Sequence, residues 1–177
     1  KYKHRIADRL LERKILGKGA VLIEGPKWCG KTTTAKQIAK SVLDLGDSSV
    51  LMQSSQMIEF SPKTLLEGAT PRLVDEWQAL PAIWDSIRSE VDKRGEPSQF
   101  ILTGSSVLPE ADATIHSGTG RFAHLKMRTM SLYESGESSG AVSLKDLFEG
   151  KDIEACTNNL GVEELAYLTC RGGWPWA

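Results

Sequence analysis

Apolar residues recur along the chain in two periods, and the way the periods alternate predicts a layered fold. Ile6, Leu10, Leu11 and Ile15 keep to one face of a short amphipathic helix that Gly17 and Gly19 end. Ala20–Glu24 follows as a brief apolar run bounded by glycines, the pattern of a buried strand. Residues 31–43 read as the clearest helix, with Ala35, Ile38, Ala39, Val42 and Leu43 on one face. Residues 50–52 read as a short strand, and residues 61–67 as a short helix with Ser61 as cap and Pro62 at its first position. Residues 73–75 form another strand, which delivers an acidic pair. Leu80, Ile83, Trp84, Ile87 and Val91 then repeat at helical spacing until Gly95 closes the helix. Residues 100–103 are a third apolar strand, and residues 122–127 alternate weakly as one more.

Strands alternating with helices predict an α/β fold, a parallel sheet covered by helices on both faces. Between Ser105 and Gly120 the periodicity lapses, and a long unpatterned stretch inside a compact domain usually serves function. Residues 131–152 are rich in Ser, Gly and Glu, with short helical pieces around Leu132 and Leu144. Val162, Leu165, Ala166 and Thr169 make a last helix. The ending Gly172-Gly173-Trp174-Pro175-Trp176-Ala177 reads as the start of further protein. At 177 residues the expectation is one domain: an N-terminal helix over 1–18, a sheet over 19–130 and a small helical tail over 131–177.

Composition narrows the class. With 40% hydrophobic and 25% charged residues, the chain is neither disordered nor fibrous. Lys and Arg number 22 against 23 Asp and Glu, which is not the footprint of a nucleic-acid binder. Seven basic side chains gather in the first 18 residues; they read as a solvated helix face in preference to a surface for an anionic partner. The longest aliphatic run, Ala20 to Ile23, is far short of the ~20 residues a membrane span needs. No secretory leader opens the sequence, and the absence of an initial Met suggests a short missing stretch. A cytoplasmic protein is expected. Cys29, Cys156 and Cys170 form no C-x-x-C pair, and His4, His116 and His124 offer no metal-binding spacing.

The strongest chemical signal is Gly25-Pro26-Lys27-Trp28-Cys29-Gly30-Lys31-Thr32, a full match to G-x-x-x-x-G-K-[ST]. The glycines let backbone N–H groups wrap a phosphate chain, and the helix N-terminus adds its positive dipole end. Lys31 reaches the β- and γ-phosphates, the Thr32 hydroxyl ligates Mg²⁺, and Thr33 completes the nucleotide-binding loop. A strand pattern before and a helix pattern after supply the required context. Cys29 reads as packing material, since thiol chemistry would need a depressed pKa.

Asp75 and Glu76, at the end of an apolar strand, are the second signal. Asp75 is the candidate for holding the hydration shell of Mg²⁺. Glu76 is the candidate general base for an attacking water. The next strand ends Thr103-Gly104-Ser105-Ser106, so a hydroxyl there, with Ser105 favoured over Thr103 and Ser106, is the candidate γ-phosphate sensor. Both asparagines, Asn158 and Asn159, lie elsewhere, which excludes an Asn sensor and a guanine-reading N-K-x-D motif. Gly118-Thr119-Gly120-Arg121 closes the unpatterned stretch. Arg121 is either a surface residue or a guanidinium that stabilises transition-state charge, in cis or across a subunit boundary.

Together these segments resemble the predicted AAA-type ATPases of archaea and bacteria, in which an AAA core precedes a C-terminal domain of unassigned function. The resemblance also takes in Arg5-Ile6-Ala7-Asp8, Asp75-Glu76-Trp77-Gln78, Met130-Ser131-Leu132-Tyr133-Glu134 and Arg171-Gly172-Gly173-Trp174-Pro175. It implies an AAA-like sheet with the 100–103 strand lying between those that lead to Gly25 and Asp75. It further implies ATP in preference to GTP, and a C-terminal half beyond this chain.

The reading is therefore Mg²⁺-dependent hydrolysis of ATP to ADP and phosphate. Lys31, Glu76, Arg121 and Ser105 act on the reaction, Thr32 and Asp75 serve the metal, and a homo-oligomer that supplies the arginine in trans is one option for Arg121. Two alternatives stand beside it. One is a nucleotide-occupancy switch that controls the missing domain. The other is a P-loop kinase, against which the adjacent Asp-Glu pair argues, because a kinase must exclude water.

Overall fold

The computed structural model describes residues 2–104, 120–152 and 159–175. Five strands form one all-parallel sheet: β1 (Ala20–Glu24), β2 (Ser41–Asp44), β3 (Arg72–Asp75), β4 (Phe100–Gly104) and β5 (Phe122–Lys126), in the order β2-β3-β4-β1-β5. β4 is inserted between the phosphate-loop strand and the Asp-Glu strand, as the resemblance implied.

Side-chain alternation along the strands makes two cores. Ala20 and Leu22 of β1, Val74 of β3, and Phe100 and Leu102 of β4 pack on one face against Ile83, Trp84, Ile87 and Val91 of α5 (Ala82–Arg94). Val21, Ile23, Leu73 and Ile101 project to the other face. There they meet Ala7, Leu11 and Ile15 of α1 (Ile6–Gly17) and Ala35 of α2 (Lys31–Lys36). Strands covered on both faces must be apolar at every position, which is why β1 and β4 read as unbroken hydrophobic runs.

Two expectations fail, both near the first crossover. The helix expected over 31–43 stops at Lys36, and its distal apolar pair belongs to β2. Three consecutive threonines weaken the helix from inside, while Leu43 is buried and Val42 exposed, the two-residue alternation of a strand paired with β3. The strand expected over 50–52 lies inside α3 (Ser48–Phe60). Asp47 caps that helix, its carboxylate accepting from the N–H groups of Ser49 at 2.8 Å and Val50 at 3.2 Å. The Ser49 hydroxyl, donating to the same oxygen at 2.6 Å, and then these N–H bonds hold the Asp47 carboxyl below its ordinary value, and such capping outranks the β-propensity of three residues. Pro62 opens α4 (Pro62–Leu65) as expected.

The chain divides into two compact units, residues 6–128 and residues 1–5 with 129–177. The larger holds the sheet. In the smaller, α6 (Leu132–Ser135), α7 (Leu144–Phe148) and α8 (Val162–Arg171) are short and bury no residue of their own. Polar contacts organise it. Arg5 pairs with Glu134 at 3.0 Å, with both side chains nearly sequestered from solvent. Arg171 pairs with Glu137 at 2.8 Å, and Met130 N–H donates to the Gly173 carbonyl at 2.7 Å. Three stretches that carry the family resemblance, distant in sequence, therefore meet in one place. Among the described residues, no helix is long and apolar enough to cross a membrane.

Candidate nucleotide site

In a parallel sheet, ligands are held beyond the carboxyl ends of the strands. Register brings three such ends level: Ile23 of β1 and Asp75 of β3 both pair with Thr103 of β4. The loop after β1 turns sharply at Gly25, where a Cβ would collide with the Met127 carbonyl oxygen; a glycine is obligatory there. Trp28 takes a left-handed conformation (φ 64°) and stands exposed, with the Lys27 ammonium 5.7 Å from its ring centre. Cys29 is fully buried, consistent with packing. Gly30 (φ 101°) then starts α2, so that the first turn of this helix faces the loop. Thr33 stands exposed in that turn.

Lys31 is buried, and its ammonium donates to the carbonyls of Gly25 at 2.9 Å and Pro26 at 2.8 Å. The cation is thereby centred in the loop that its own helix closes. One residue on, the Thr32 hydroxyl donates to Asp75 Oδ1 at 2.9 Å. The fully buried Thr103 hydroxyl donates to the same oxygen. A carboxylate and a hydroxyl side by side are hard oxygen donors, the set that suits Mg²⁺ held partly by phosphate oxygens. Among the described residues, no cluster of three or more His, Cys, Asp or Glu offers a dedicated metal cage.

Glu76 follows Asp75 in a left-handed conformation (φ 52°), a strain of about 1–3 kcal/mol for a residue with a side chain, and such strain gathers at functional sites. The chain then makes a single 3-10 turn, Trp77–Ala79, anchored by Trp77, which is buried against Trp84 with ring centres 5.1 Å apart. Gln78 Nε2 donates to Glu76 Oε2. Gln78 thus meets a candidate site residue although sequence reasoning attached no role to it, two positions beyond the acid in the quoted Asp-Glu-Trp-Gln segment. Thr103 was legible as a candidate sensor; its hydroxyl contacts Asp75.

Two candidates remain. Ser105, with Ser106, Gly118 and Thr119, lies outside the described residues. Arg121 precedes Phe122, which pairs with Ala20 at the start of β1, whereas the phosphate loop leaves the far end of that strand. Five strand residues at ~3.3 Å each put Arg121 roughly 16 Å along the sheet from the loop. This rules out a cis contact with a phosphate in its own loop. Arg121 instead pairs with Asp92 of α5 at 2.6 Å, which raises the guanidinium pKa and lowers that of the carboxyl. Lys18, Asp92, Glu96 and Arg121 border a surface cavity of about 400 Å³ at that end.

The family model described as "AAA domain" matches residues 17–136. Two uncharacterized mycobacterial proteins, Rv2008c of Mycobacterium tuberculosis and Mb2031c of Mycobacterium bovis, are each 24% identical over 139 residues. Each match takes in 77% of this chain and 31% of the relative, so the chain spans about a third of their length. Among solved structures, PCH-2 of C. elegans matches with a TM-score of 0.41 and 15% identity, over 93% of this chain and 58% of that one.

Proposed function

This chain belongs to the AAA domain family, and from that premise we propose that it binds ATP at residues 25–33 and hydrolyses it to ADP and phosphate with Mg²⁺. The family supports nucleotide binding. The observation that carries the finer reading is the meeting of Lys31, Thr32 and Asp75 at the aligned ends of β1, β3 and β4. Lys31 binds the β- and γ-phosphate oxygens from the centre of the loop. Thr32 and Asp75 hold Mg²⁺, which when bound neutralises charge developing on those oxygens. Glu76, on the residue after the metal ligand, takes the proton of the attacking water.

Arg121 serves a neighbouring copy in this reading. Its position at the opposite end of the sheet suits a guanidinium presented across a subunit boundary, and Asp92 holds it extended at the surface until then. The decisive experiment is titration of ATP with and without Mg²⁺, combined with phosphate-release kinetics. ATP binding without phosphate release would remove hydrolysis and leave an occupancy switch.

A further inference from the structure

The Glu76 carboxylate is carried on a side chain with three torsions, at a strained backbone position, and a general base needs a fixed direction. Its backbone is well anchored: Ala79 N–H donates to the Glu76 carbonyl at 2.9 Å, and Leu80 N–H to that of Trp77 at 3.0 Å. The buried indole between Glu76 and Gln78 pins the turn. The side-chain end of Glu76 is met by the Gln78 amide. That amide is bound on one side and unsatisfied on the other, since Gln78 Oε1 is buried without a hydrogen-bond partner. Turning the amide over would set oxygen against carboxylate oxygen, so Glu76 dictates its orientation. An apolar side chain would suit the fold better at a place where an amide oxygen goes unpaired.

The neighbouring strand is shaped to admit this amide. A Cβ on Gly104, at the end of β4, would collide with Gln78 Oε1 and lie 3.0 Å from Trp77 Nε1. The preceding residue, Thr103, contacts Asp75. Adjacent residues of one strand end thus serve adjacent acids, Thr103 through its hydroxyl and Gly104 through its lack of a side chain.

We propose that Gln78 is a positioning residue for Glu76, its amide fixing the carboxylate for proton abstraction while Gly104 leaves the space it occupies. The proposal rests on reading Glu76 as the base. Gln78→Met keeps the length and removes the donor; Gln78→Glu, should the first variant fold poorly, keeps the shape and sets an acceptor against Glu76. Either variant should lower kcat by about 10²-fold, the scale of a misdirected catalytic group, with KM and the ATP dissociation constant unchanged. In a Glu76→Gln background the same change should cost nothing more, because its target is gone. A variant that turns over at the parent rate, or a loss that multiplies in full with that of Glu76→Gln, overturns the assignment while leaving hydrolysis intact. A parent chain that binds ATP and releases no phosphate overturns both readings together.

Discussion

Thr32 and Asp75, 43 residues apart in the chain, are joined by a 2.9 Å hydrogen bond. It links the first turn of α2 to the end of β3, and Thr103 ties β4 to the same oxygen. Both hydroxyls share one carboxylate oxygen, so the pair proposed to hold the metal, Thr32 and Asp75, is held in place from both α2 and β4.

Thr103→Val keeps the shape of a fully buried side chain and deletes its donor. A hydrogen bond to a carboxylate lost this way should cost about 1–3 kcal/mol. Urea unfolding without nucleotide would read it. The Mg²⁺ concentration needed for half-maximal turnover should also rise, since Asp75 loses one of its two hydroxyl tethers.

Lys31→Ala should weaken ATP binding at least about tenfold, the effect of one lost charge-assisted contact of roughly 1.5–3 kcal/mol, and abolish turnover. The lysine also bridges two loop carbonyls, so unfolding without nucleotide should shift modestly. Unchanged ATP affinity by calorimetry would remove Lys31 from the phosphate site.

Glu76→Gln should separate binding from chemistry. The amide keeps the shape but cannot accept a proton, a loss typically of about 10²–10⁴-fold in rate. ATP and Mg²⁺ should stay bound and uncleaved in a quench assay. Parent-rate turnover would exclude Glu76 as the base.

Arg121→Ala should leave ATP affinity intact and flatten any rise of specific activity with protein concentration. A trans arginine is worth roughly 10³–10⁵ in kcat. Mixing Arg121→Ala with Lys31→Ala protein should partly restore activity, because each copy lacks what the other supplies. Activity independent of concentration, without rescue, would make the Arg121–Asp92 pair purely structural.

In the smaller unit, the Arg171 guanidinium, helped by the Ser135 hydroxyl, lowers the Glu137 pKa from its ordinary 4.5 to about 2. A depressed carboxyl stabilises the fold above its unfolded pKa and loses that contribution as pH falls through the folded value. Glu137→Gln should therefore destabilise this unit at neutral pH, with the difference from the parent closing between pH 4.5 and about 2. Acid titration followed by circular dichroism would show it; a constant difference down to pH 2 would contradict the pairing.

Local pattern alone determined much of this protein. The loop proposed to hold phosphate stood out in the sequence because its glycines, lysine and threonine are contiguous, and a contiguous motif needs no distant partner to be noticed. β1, β4 and α5 were legible because burial on both faces, or on one helical face, imposes a period on neighbouring residues. Where two local signals competed, pattern misled: Val42 and Leu43 extended a helical stripe until pairing with β3 claimed them, and the Asp47 cap overrode a short β-rich run. Strand order is not encoded locally, and the insertion of β4 was expected from family resemblance, not from periodicity. Only the tertiary structure decided that Thr103 serves Asp75, that Gln78 meets Glu76, and that Arg121 stands at the far end of the sheet. Those relations depend on which strand ends lie level and on which end of a strand a residue occupies. Both are set by parallel pairing between segments far apart in the chain, a long-range geometry to which hydrophobic periodicity is blind.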